Sequence, residues 1–156
     1  MPPVDVTVET LIRRPVDVVA TYACDPDNAT AWYVNITSAQ WQTPKPLALG
    51  SRLEFTAAFL GRSLTYTYEV VDFVPGRRFV MRTAQGPFPM ETVYEWTPED
   101  GGTRMVLRNH GQPSGFSRLA APMLASAMRR ATRRDLARLK SILESDTGTP
   151  GGGGGI

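Results

Sequence analysis

The stretch SGFSRLAAPMLASAMRRATRRDLARLKSILE, residues 114–144, decides how this chain is read. Leu124, Met128, Ala131, Asp135, Leu139 and Ile142 recur at steps of three and four, which places them on one face of a helix with 3.6 residues per turn. Arg129, Arg130, Arg133, Arg134, Arg138 and Lys140 take the opposite side. The spacing predicts a long helix from Ser114 to Glu144 with one face to be covered and one built for water. Pro122 removes a backbone hydrogen bond inside that run, so a kink or a late start is expected there. A kink would swing Leu119 and Met123, which lie off the main stripe, towards the rim of whatever the helix covers.

The cover lies upstream. Val4 to Ile12 alternates β-branched residues with Asp5, Thr7 and Glu9, the period of a half-buried strand. Pro15 opens a short apolar stripe, Val16, Val19, Ala20 and Ala23. Asp25-Pro26-Asp27 stops it, and Asp25 or Asp27 can cap a second short helix reaching Trp32. Six more strand-like runs follow: Ile36–Trp41, Ser51–Leu60, Ser63–Val74, Arg78–Ala84, Met90–Thr97 and Thr103–Gly111. Gly61-Arg62, Pro75-Gly76, Gly86-Pro87 and Pro98 to Gly102 punctuate them. Short turns between consecutive strands imply an antiparallel sheet. The fold class expected is therefore α+β: a seven-stranded antiparallel curved sheet wrapped around a long C-terminal helix, with two short helices after the first strand.

Side-chain parity divides that sheet. Leu53, Phe55, Ala57 and Phe59 share a face with Leu64, Tyr66, Tyr68 and Val70. Phe79, Met81 and Thr83 join them, then Met90, Thr92, Tyr94, Trp96, Met105, Leu107 and Asn109. The alternate set is mostly charged and includes Arg52, Glu54, Thr67, Glu69, Arg78, Arg82, Glu91, Glu95, Arg104, Arg108 and His110. The apolar, aromatic set faces the helix. A curved sheet gripping one helix need not close completely, and tyrosine hydroxyls on its inner face each want a partner, such as water or a ligand.

Composition bounds the class. The chain has 156 residues, 42% hydrophobic and 21% charged, ordinary for one soluble globular domain. One domain over residues 1–145 is expected, followed by a flexible glycine-rich tail, 146–156. No apolar run reaches the roughly 20 residues a membrane span needs. No secretory pattern is visible at the N-terminus. Cys24 is the single cysteine, so no internal disulfide and no zinc cluster can form, and a reducing cytoplasmic setting is expected. Residues 118–144 carry seven basic and two acidic side chains. A solvated arginine face explains this, and without neighbouring base-stacking aromatics no nucleic-acid partner is expected.

In order along the chain, Val8 to Pro15 with Val19, Asp25-Pro26, Trp32, Gly50-Ser51-Arg52-Leu53, Val70 to Phe79 with Pro75-Gly76-Arg77-Arg78, Gly101-Gly102-Thr103-Arg104 and Arg134 to Lys140 form a pattern that resembles the START-like (SRPBCC) superfamily. Within it the chain looks most like bacterial polyketide cyclase/dehydrase-type proteins, grouped with lipid-transfer and plant allergen-like ligand binders. The resemblance implies the helix-grip fold and a deep apolar cavity between sheet and helix, for a lipid, polyketide, sterol or similar aromatic molecule.

The residues expected to line that cavity are Trp32, Phe55, Phe59, Tyr66, Tyr68, Met81, Met90, Tyr94, Asn109, Met123 and Met128. A volume on the order of 300–1,000 Å³ is typical of such sites. No catalytic residue, metal site or cofactor is assigned. His110, the one histidine, has outward parity and is expected at the surface. Asp135 lies in the apolar stripe and is expected to be hydrogen-bonded or paired, pinning the short helices or the first strand. The partner expected is a hydrophobic small molecule, held by a carrier or sensor that is a monomer or homodimer. Two alternatives remain: a cyclase or dehydratase using Tyr66, Tyr68 or Tyr94 hydroxyls, and an interaction module working through the basic helix face.

Overall fold

A computed structural model of the chain describes residues 3–112 and 121–145. The elements are β1 (Val4–Ile12), α1 (Val16–Cys24), a 3-10 turn (Pro26–Asn28), α2 (Ala29–Trp32), β2 (Ile36–Trp41), β3 (Arg52–Phe59), β4 (Arg62–Val74), β5 (Arg78–Gln85), β6 (Met90–Glu99), β7 (Gly102–Gly111) and α3 (Ala121–Ser145). The expected helix start at Ser114 and the glycine-rich tail lie outside the described residues, as does Leu119. Pro122 is the second residue of the described helix.

Seven strands form one antiparallel sheet in the order β1-β7-β6-β5-β4-β3-β2. β1 closes against β7 after the chain has detoured through α1 and α2. The β3–β4 and β6–β7 hairpins turn on Leu60-Gly61 and Asp100-Gly101. Their φ values of 51°, 77°, 51° and 79° fit two-residue turns that match strand twist. The loop expected from Pro98 to Gly102 thus shrinks to two residues, and Pro98 stays in β6 opposite Thr103.

Strict alternation fails in β4. Register slips between Val70 and Asp72, where one residue is extra. The bulge lets Phe73 face inward against Phe79 and turns Asp72 outward to Arg78, at 2.9 Å. A second slip between Thr67 and Tyr68 accompanies a buried Thr67, which parity had assigned to water. Much of the rest of the outer face is charged as expected, although the cross-strand pair Val80 and Val93 lies among those charges and is buried. Arg104 bridges Glu9 and Glu99, Arg108 pairs with Asp5, and Arg82 with Glu91. His110 lies there too, Nε2 2.9 Å from Glu91. Exposed to solvent, such cross-strand pairs are screened and contribute little to stability.

The helix seam is rotated slightly from its sequence reading. Leu124, Thr132, Asp135, Leu136, Leu139 and Leu143 are buried, whereas Ala131 and Ile142 sit at the margin. The C-terminal end of α3 is stitched to the end of β1. Arg13 N–H donates to Glu144, Lys140 donates to Leu11 O, and Arg14 donates to Leu143 O. Part of the basic face therefore serves the fold.

Gly102 shows how tightly β7 starts beneath β1. A Cβ there would lie 2.6 Å from the Ile12 carbonyl oxygen, a backbone atom that cannot rotate away. Gly102→Ala is expected to destabilise by about 1–3 kcal/mol, as overpacking does, read as a lower urea midpoint with an unchanged slope.

Candidate functional site

Two core clusters meet along α3. One, around Trp32, Phe79, Tyr94, Trp96, Leu136 and Leu139, fills the end of the sheet nearest α1. The other gathers Val4, Val6, Leu64, Tyr66, Phe88, Met90 and Leu124 at the opposite end. Between them remains a hollow of about 190 Å³, walled by the sheet's inner face and by α3. It is smaller than expected because the aromatic rings at the α1 end fill the space that the fold encloses there.

β3 and β4 contribute Phe55, Phe59, Tyr66 and Tyr68 to its wall. Met81, Met90 and Asn109 come from β5, β6 and β7, and Met128 from α3. Three residues expected at the cavity stand apart from it. Trp32 is fully buried in the core rather than at a mouth, stacked on Tyr33 with centroids 4.0 Å apart. Tyr94 is also core, its ring edge-on to Phe79 and its hydroxyl hydrogen-bonded to that of Tyr33. Met123 is 58% exposed, one residue before the seam that begins at Leu124.

Other wall residues were not expected. Tyr33 and Asn35 follow α2 in a segment with no periodicity, so no pattern marked them. Phe88 sits in the β5–β6 loop yet folds back against Tyr66, centroids 5.7 Å apart. Thr132 was within reach of sequence reasoning, since it lies four residues after Met128 and three before Asp135.

The wall is polar along one line. Thr92 Oγ1 donates to Asn109 Oδ1 at 2.7 Å, Asn109 Nδ2 reaches Thr132 Oγ1 at 3.5 Å, and Thr132 donates to Met128 O at 2.9 Å. Asp135 follows on α3. Its Oδ1 accepts the Val34 N–H at 2.8 Å, which pins the segment after α2 to the long helix. Burial pushes the Asp135 carboxyl up to about 7, opposed by that one hydrogen bond. Burial likewise raises the Tyr68 hydroxyl to about 12 and drives those of Tyr33 and Tyr66 well up, so all three phenols stay protonated at neutral pH.

A larger groove, about 1240 Å³, lies outside the hollow, between α1, the β2–β3 loop and the β4–β5 turn. Its walls mix Asp17, Asp25 and Asp27 with Lys45, Arg77 and Arg78. Lys45 already pairs with Asp27 at 2.7 Å, and Arg78 with Asp72 and Glu95. The smaller space is the better candidate, because aromatic walls with a few convergent polar groups are what ligand sites share. Among the described residues, no group of His, Cys, Asp and Glu is arranged to hold a metal ion.

A profile described as polyketide cyclase / dehydrase and lipid transport matches residues 3–144. The chain belongs to that family. Solved structures of the same fold include the protein TTHA0849 from Thermus thermophilus, 19% identical with a TM-score of 0.78, matching 90% of this chain and 97% of that one. The Zhui aromatase/cyclase from a Streptomyces species is 17% identical with a TM-score of 0.76, over 99% and 100% of the two chains. A START superfamily protein from Mycobacterium smegmatis is 14% identical with a TM-score of 0.75, over 92% and 97%. No curated protein matches the chain. These likenesses show the START-like helix-grip fold. Family and fold fit hydrophobic ligand binding or polyketide cyclase-like chemistry, and no described helix is long and apolar enough to cross a membrane.

Proposed function

We propose that this member of the polyketide cyclase / dehydrase and lipid transport family binds a hydrophobic small molecule between sheet and C-terminal helix, as a carrier or sensor. The hollow carries the reading: about 190 Å³, walled by Phe55, Phe59, Tyr66, Met81 and Met90, with Asn109, Thr132 and Asp135 along one side. A space of this size suits a compact ring system or a short chain. Burying such apolar surface gains roughly 25 cal/mol per Å². Ala131 lines the hollow without being fully buried. Ala131→Phe is expected to fill it and weaken octanol binding by about tenfold or more, near 1.4 kcal/mol, with little change in melting temperature. Calorimetric titration checks this; unchanged affinity in the filled variant would move the site elsewhere.

A second reading draws on Asp135. A carboxyl near 7 inside an aromatic hollow is poised to give or take a proton at neutral pH. Tyr68 lines that hollow too, and its hydroxyl would serve as donor to a developing oxyanion. In a cyclase or dehydratase, Tyr68→Phe is expected to cut turnover of a polyketide-like substrate about a hundredfold or more while binding persists. In a carrier the same change shifts affinity only slightly.

A further inference from the structure

The hollow has a charge character that its apolar walls conceal. Among the described residues lining it, Asp135 is the one ionisable carboxylate, and none is lysine, arginine or histidine. Its Oδ1 is held by Val34 N–H. Among the described residues that is the one hydrogen bond to the carboxylate. A buried carboxylate normally has a cation or several donors. Here the matching charge is missing from the described wall, while Tyr33, Tyr68 and Phe55 present ring systems that attract cations.

We propose that the hollow selects a hydrophobic amine, its ammonium group set against Asp135 and its apolar body along Phe55, Tyr66 and Phe88. This rests on the small-molecule reading above and narrows it. An ammonium completes the ion pair that the fold leaves half-built and gains from the aromatic faces around it. A guest carrying its own carboxylate meets a like charge. A neutral alcohol gains burial and at most one uncharged hydrogen bond.

The pH dependence follows from the same group. Asp135 is ionised above about pH 7 and protonated below it. Tyr33 after α2, Tyr94 on β6 and Tyr68 on β4 face this region, with Cys24 at the end of α1 beyond them. All four are raised above their ordinary values and stay neutral throughout this window. On α3 itself, Arg134 and Arg138 are exposed, and Arg138 donates to Ala31 O.

The test is calorimetric titration of the full chain with octylamine, octanol and octanoate. A charge-assisted hydrogen bond contributes enough for octylamine to bind about ten to a hundredfold more tightly than octanol at pH 8. Octanoate is expected to bind most weakly. Between pH 8 and pH 6 octylamine affinity is expected to fall about tenfold as the carboxylate protonates, and octanol affinity to stay level. In Asp135→Asn the octylamine-to-octanol ratio collapses towards one and loses its pH dependence. Equal affinities for amine and alcohol, or octanoate binding as tightly as octylamine, would overturn the amine inference and leave the apolar hollow standing. Failure of all three to bind the folded wild-type chain would remove both.

Discussion

Trp32→Ala is expected to lower stability by about 3–5 kcal/mol, the range for emptying a buried large aromatic site. Trp32 is among the largest side chains with no exposed surface. It stacks on Tyr33 at 4.0 Å and meets Tyr94 edge-on at 6.0 Å, so one truncation strips contacts from α2 and β6 together. A domain of this size has roughly 5–15 kcal/mol in total, and the melting temperature is expected to fall on the order of 10 °C. The functional effect follows from chain order. Tyr33 and Val34 come next after Trp32, and they supply a wall of the hollow and the N–H that holds Asp135. Octanol affinity in Trp32→Ala is therefore expected to fall even where the chain is still folded. Trp32→Phe is the informative control. Among the described residues the indole Nε1 has no hydrogen-bond partner, so phenylalanine keeps a ring while deleting an unsatisfied buried donor. It is expected to recover more than half of the loss. Equal losses in both variants, measured by urea denaturation, would mean that the indole itself is indispensable.

What sequence could and could not reveal divides along the same residues. The elements were legible because each is announced by its own period: two in β1 to β7, 3.6 in α3. The ring wall was legible where parity runs unbroken, as at Phe55, Tyr66, Met81 and Asn109. It failed where geometry is set by something other than period. Trp32 is apolar enough for either a mouth or a core, and only the packing of α2 under Tyr94 chooses the core. Tyr94 shares parity with the wall residues, but parity says nothing of position along the strand, and it lies at the filled end. Tyr33 and Phe88 come from irregular segments that no periodicity describes. Phe73 needed a bulge. Met123 missed the seam by one residue, which on a helix is a turn of about 100°.

Asp135→Asn is expected to stabilise the unliganded chain by up to about 4 kcal/mol at pH 8, and by little near pH 4. Folding raises the pKa of this carboxyl from the ordinary 3.8 to about 7, through burial that one hydrogen bond only partly offsets. A raised carboxyl means that the folded state holds its proton more tightly than the unfolded chain does. The carboxyl therefore costs the fold nothing below about pH 4. Its cost grows by roughly 1.4 kcal/mol for each pH step of one between the two values, and is complete above about 7. Asparagine has nearly the same shape, keeps an oxygen for the Val34 N–H and carries no charge. Taking the variant's stability minus the wild type's at each pH cancels the opposite contributions of lowered carboxylates such as Asp5 and Glu99. The measurement is urea unfolding of both chains from pH 4 to pH 8.5. A difference that stays flat across that range would show that Asp135 is as well solvated or as well paired folded as unfolded. A rising difference would mean that the chain carries a costly group at the one place where a guest could match it, and octylamine at saturating concentration is then expected to shrink the difference at pH 8. A residue that only pinned α3 to the segment after α2 would gain from becoming asparagine and would not respond to the amine.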